Sequence, residues 1–120
     1  MTRDLVFWKQ KPGCTLPAAG IYRALLDGSV IEDLETMPAA QFLERIEQRF
    51  PGLAREGGLV RGKRGTAGTF ELLSSNQHVR IRCHRLSGAD INTIIDAALE
   101  FGCPLYDPQE DKRFDEWTRR

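Results

Sequence analysis

The chain has 120 residues, 41% of them apolar and 28% charged, with a formal net charge of zero. That length suits one domain able to bury roughly two thirds of its unfolded surface, and the composition is too apolar for a disordered chain. Charge balance removes any chain-wide argument for nucleic-acid or membrane-surface binding and leaves only local patches to consider. Cys14, Cys83 and Cys103 cannot all pair with one another and show no CxxC spacing, which points to free thiols in a reducing compartment. Only Leu5, Val6, Phe7 and Trp8 are clearly apolar before Lys9, too few for a signal peptide. No apolar run approaches the length of about 18 residues that a membrane span needs. The expectation is a cytoplasmic protein with no membrane partner.

Leu5 to Trp8 favours a β-strand, and its apolar residues on both faces predict a central one. Pro17 opens a segment in which Ala18, Ile21, Tyr22 and Leu25 share one helical face, with Gly28 as the stop. Residues 29–37 mix Glu32, Asp33 and Glu35 with Val30, Ile31 and Leu34, and read as a connection held by a few apolar contacts. Pro38 starts a second helix, apolar at Ala39, Phe42, Leu43, Ile46 and Phe50 and ended by Pro51-Gly52. Residues 56–68 hold five glycines, with Arg61, Lys63, Arg64 and the nearby Arg55 as basic groups. They are expected to form a mobile loop with at most an edge segment at 59–61.

The stretch 69–107 is the most strongly patterned. Residues 69–74 predict a strand, 75–77 a turn, and 78–85 a strand of strict alternation. Val79, Ile81 and Cys83 are set to one side of it, and His78, Arg80, Arg82 and His84 to the other. Ser87, with Asp90 three residues on, caps a helix whose stripe is Ile91, Ile94, Ile95, Ala98 and Leu99, stopped by Gly102. A short strand follows at 103–106. Residues 108–120 read as a polar C-terminal tail with Phe114 and Trp117 as docking points.

This order predicts a single α+β domain over residues 1–120, a ferredoxin-like split β-α-β antiparallel sheet with helices packed on one face and the other face open. An α+β layout with an extra edge strand from the glycine-rich segment is the competing arrangement. The open face would carry the basic stripe beside Trp8 or Phe7.

Several chemistries are weak on spacing alone. Gly57-Gly58-Leu59-Val60-Arg61-Gly62-Lys63 satisfies GxxxxGK, yet Arg64 stands where a phosphate-binding loop needs Ser or Thr, and the segment opens no helix. A basic loop is the better reading. Cys83, His84, His78, Cys14 and Cys103 lack paired metal-ligand spacing, and adjacent Cys83 and His84 point to opposite strand faces. A cysteine in an apolar strand is more often a small core residue than a nucleophile. With no nucleophile, base and orienting group assignable together, the expectation is a non-enzyme without cofactor, metal or small-molecule substrate. The basic stripe could be a solvated face, an RNA platform or a protein-binding surface. RNA-binding plaits want exposed aromatics on the central strands, which His78 to His84 lacks.

Asp4-Leu5-Val6-Phe7-Trp8-Lys9 and Glu100-Phe101-Gly102-Cys103-Pro104-Leu105-Tyr106-Asp107-Pro108-Gln109 resemble segments of small bacterial proteins that sit among the immunity proteins of polymorphic and contact-delivered toxins. The resemblance implies a stoichiometric cytosolic inhibitor whose partner is a cognate toxin domain, and it carries over no contact residue. The partner-binding candidates come from the stripe and its surroundings: His78, Arg80, Arg82 and His84, with Trp8, Arg61, Lys63 and Arg64. The alternative function is a small RNA-binding plait using the same basic face.

Overall fold

A computed structural model describes residues 2–65 and 68–114. In chain order its elements are β1 (Thr2–Trp8), α1 (Ala18–Leu26), α2 (Ala39–Arg49), β2 (Ala54–Glu56), β3 (Leu59–Arg64), β4 (Gly68–Ser74), β5 (His78–His84), α3 (Gly88–Glu100), β6 (Leu105–Asp107) and β7 (Lys112–Phe114). The fold is α+β. Its seven strands form one sheet in the order β2-β3-β4-β5-β1-β6-β7, with every neighbouring pair antiparallel.

β1 lies between β5 and β6, and its Leu5 to Trp8 stretch is buried on both sides. Alternation explains this. Leu5 and Phe7 join Phe70, Leu72, Val79, Ile81 and Cys83 in the larger core, packed under Phe42 and Ile46 of α2 and Ile94 and Ala98 of α3. Val6 and Trp8 point the other way, into a second cluster with Ile21 and Leu25 of α1, Leu34 and Tyr106. The expectation of helices on one face therefore holds for α2 and α3 and fails for α1, because a strand apolar on both sides needs a cover on both sides.

The local signals behave as their chemistry dictates. Ser87 Oγ accepts from the Asp90 backbone N–H at 3.1 Å at the start of α3. The 29–37 connection is tied down by Leu34 and Met37 in the core and by the Gln77 amide, which donates to the Ile31 carbonyl at 2.6 Å and accepts from its N–H at 2.8 Å. Val30, expected among the packed residues, is instead largely exposed.

Two further expectations are corrected. The glycine-rich segment is a hairpin: β2 and β3 pair Glu56 with Leu59, leaving Gly57-Gly58 as a two-residue turn with positive φ at Gly57 alone, the pattern of a type II′ turn. Gly62 sits opposite Phe70, whose ring occupies the space a Cβ would need. The polar tail contributes β7, paired with β6 across Asp107 and Lys112. Phe114 enters through the backbone of that strand, whereas Trp117 lies outside the described residues.

Candidate functional site

In antiparallel pairs, residues directly opposite share a face. The face of Val6 and Trp8 is thus also that of Thr2 and Asp4 on β1, His78, Arg80, Arg82 and His84 on β5, Thr69, Glu71 and Leu73 on β4, and Leu59, Arg61 and Lys63 on β3. α1 covers only the part over β1 and β6. The part over β3, β4 and β5 is left open, and it is charged: four fixed cations, Arg61, Lys63, Arg80 and Arg82, stand with the carboxylates of Glu71 and Asp4.

Those charges are ordered as a cross-strand ladder. Arg61 Nε lies 3.3 Å from Glu71 Oε2. Glu71 faces Arg82 across β4 and β5, and Arg82 donates to Asp4 from Nε at 3.0 Å and from Nη2 at 3.5 Å. The Asp4 hydrogen bond and charge raise the Arg82 pKa further. His84 meets Thr2, with Nδ1 3.2 Å from its hydroxyl. At the far end of β5, His78 Nδ1 lies 2.6 Å from Ser75 Oγ. Burial first, and the charge of Arg80 second, push its pKa below the usual histidine value, so His78 is neutral at physiological pH.

The open surface brings together Arg80, Arg82, His84, Arg61 and Lys63, with half-buried His78 at its end. It excludes two of the predicted residues. Trp8 is 1% exposed, packed on Tyr106 with ring centroids 5.2 Å apart and covered by Arg113 at 5.7 Å. It is therefore a core residue of the covered half. Arg64 projects to the opposite side of β3, where its guanidinium lies 5.1 Å from the Phe50 ring and donates to Asp90 at 3.2 and 3.4 Å; it fastens α3 to the sheet. Sequence reasoning missed Glu71, Asp4 and Leu73, which share the face. Strand register was the signal needed, and it depends on the pairing partner.

Two shallow hollows mark the open half. One, of about 380 Å³, is lined by Arg61, Gly62, Lys63, Thr69, Phe70 and Glu71. The other, of about 90 Å³, is lined by Leu59, Glu71, Leu73, Arg80 and Arg82.

The remaining reactive groups are built into the core. Burial pushes the Cys83 thiol up to about 12 and Cys103 up to about 11, so both are protonated and poor nucleophiles at neutral pH. Cys103 Sγ lies 3.2 Å from Met37 Sδ. Among the described residues no group of three or more His, Cys, Asp and Glu side chains is placed to hold a metal ion, and no helix is long and apolar enough to cross a membrane. Gly62-Lys63 of the GxxxxGK stretch lies inside β3, away from any helix start.

The closing Tyr-Asp-Pro-Gln stretch has a structural task. Asp107 is fully buried, takes an ion pair from Arg3, and accepts the Gln109 backbone N–H at 3.0 Å. Burial alone would raise its pKa. The Gln109 side-chain hydrogen bond and the Arg3 charge outweigh that and hold it below the usual carboxylate value. Gln109 in turn accepts from the Asp4 N–H at 2.5 Å and donates to its carbonyl at 3.1 Å, continuing the β1–β6 pairing with a side chain. Tyr106 donates to Asp111 at 2.7 Å.

No family model matches the chain, and no curated protein matches it.

Proposed function

We propose that this chain is an immunity-type protein of the cytosol, a stoichiometric inhibitor that binds the effector domain of a toxin and acts without catalysis. One observation carries the reading: an otherwise closed α+β fold leaves half of one sheet face uncovered, and that half bears ordered charges around exposed Leu73. Arginine beside an apolar anchor is a composition that concentrates binding energy at protein interfaces. The protonated core thiols and the free state of all three cysteines favour a binding role in a reducing compartment.

The scaffold we assign is a ferredoxin-like plait with additions. The inner strands run β4-β5-β1-β6, and α2 and α3 share one side of them. The β2–β3 hairpin, β7 and α1 are then appended elements, and α1 is what divides the second face into a covered and an open half.

RNA binding has less support. Arg61 and Arg82 are already ion-paired, and Trp8 and Tyr106, the aromatics of that face, are buried under α1.

Co-expression with the candidate toxin domains encoded by neighbouring genes tests the reading. The expected result is restored growth and a 1:1 complex on gel filtration. Continued toxicity with no complex overturns it.

A further inference from the structure

The open half-face is not uniformly neutralised. Arg61 is engaged by Glu71 and Arg82 by Asp4, while Arg80 and Lys63 have no carboxylate partner among the described residues. The two differ in setting. Lys63 is exposed; Arg80 is half-buried, between Leu73 on β4 and fully buried Val6 on β1. A guanidinium that has lost part of its hydration without gaining a counter-charge is the group on this face with most to gain from an anion.

We infer that Arg80 is the anchor of the face and takes a carboxylate side chain, Asp or Glu, from an acidic and partly apolar surface of the protein partner. This deepens the immunity reading and rests on it for the partner's identity. Three features fix the chemistry. The hollow beside Arg80 has leucines 59 and 73 as walls, Arg82 as a second cation and Glu71, whose charge is held by Arg61, as its remaining lining residue, so it suits a charged head carried on a short apolar stem flanked by apolar neighbours. At about 90 Å³ against about 380 Å³ it is the smaller of the two hollows, a size suited to a single side-chain head. Because Arg82 already spends Nε and Nη2 on Asp4, the planar fork of Arg80 is the one free for two parallel hydrogen bonds.

Glu71 separates this hollow from the one lined by Arg61 and Lys63. Arg80 and Lys63 are two strands apart and offset by four residues along them, a separation of roughly 15 Å. No small anion spans that distance. A protein surface carrying acidic groups on either side of the Glu71 contact does, and Glu71 repels any partner that places a carboxylate directly over it.

The test is an NMR titration of the intact chain with two capped tripeptides, Glu or Gln between two leucines, alongside neutralisation by the same variants. The Glu peptide is expected to shift the amides of Leu73, Arg80 and Arg82, and to bind roughly tenfold tighter than the Gln peptide. Arg80→Gln should abolish that preference, and Arg80→Lys, which keeps the charge and loses the fork, should retain only part of it; Arg80→Lys decides should Arg80→Gln fail to fold. Equal binding of the two peptides, or shifts centred elsewhere, overturns the anchor. So does a single-stranded oligouridylate that binds the same residues more tightly than the Glu peptide. If the wild type neutralises the toxin and Arg80→Gln does so equally well, the anchor falls and the function stands. If the wild type does not neutralise, the function falls and the titration still decides the anchor.

Discussion

The two halves of one sheet face behave oppositely although one continuous sheet carries both. Over β1 and β6, Val6, Trp8 and Tyr106 are buried beneath Ile21 and Leu25 of α1. One strand away, on β5, Arg80 stands opposite Val6 and Arg82 opposite Asp4, and Leu73 stands beyond Arg80 on β4. β-strand alternation alone does not separate these regions, since it only sorts residues to a face. What separates them is where α1 lands, and α1 lands where β1 and β6 offer aromatic surface to cover. The covered half is a second core that holds the fold; the open half is surface, to be judged by binding. Substitutions should sort the same way.

The largest effect is expected from Trp8→Ala, which empties the covered half: about 3–5 kcal/mol lost in urea unfolding. A loss below that of ordinary surface substitutions would break the comparison. Asp107→Asn comes next, at about 1–3 kcal/mol, because it leaves Arg3 without its buried counter-charge. It also sharpens the comparison through pH. The folded pKa of Asp107 lies below its ordinary value of 3.8, so the stability it supplies is complete above that value. It is lost as pH falls through the lower, folded pKa. Unfolding of wild type and Asp107→Asn at neutral pH and near pH 3 should show the gap between them narrowing in acid.

Gly62→Ala should cost about 1–3 kcal/mol by overpacking, since the new methyl would meet the Phe70 ring and Leu53. Thermal unfolding checks it, and Gly62→Ala with Phe70→Leu should recover part of the loss. The smallest effect belongs to the open half: Arg82→Ala should change stability by no more than about 1 kcal/mol despite its two bonds to Asp4, and the change should shrink in high salt.

Much of the framework was legible from residue patterns. The cap at Ser87 and Asp90, the alternation from Val79 to Cys83 and the apolar run from Leu5 to Trp8 each depend on neighbours a few residues away. That apolar run also held the clue to α1, since a strand apolar on both faces demands two covers; a single helical layer left Trp8 wrongly in the open. The β2–β3 hairpin was missed because Gly57-Gly58 was taken for looseness, when two glycines between short strands are also a turn that demands them. Arg64 was expected beside Lys63 on a mobile basic loop; within β3 the two adjacent residues take opposite faces, and β3's register is set by pairing with β4. Gln77 and Gln109 were illegible for a different reason. Each satisfies both backbone groups of a residue far away in sequence, Ile31 and Asp4 respectively, and no local pattern announces such a partner.

The short outer strands bear on how the protein behaves in a crowded cell. A wide antiparallel sheet invites other chains to add to its rims, where backbone donors and acceptors lie unpaired. Among the described residues the two outermost strands are three residues long, β2 with Arg55 and Glu56 and β7 with Lys112 and Arg113. A stray strand could gain only a few hydrogen bonds there and would meet charges as it did so. The long β4 and β5 strands, which would make persistent templates for aggregation, are enclosed on both sides, and β1 is paired along its length with β5 and at Val6 and Phe7 with β6. A sheet that ends in poor templates guards this chain against strand addition at its rims.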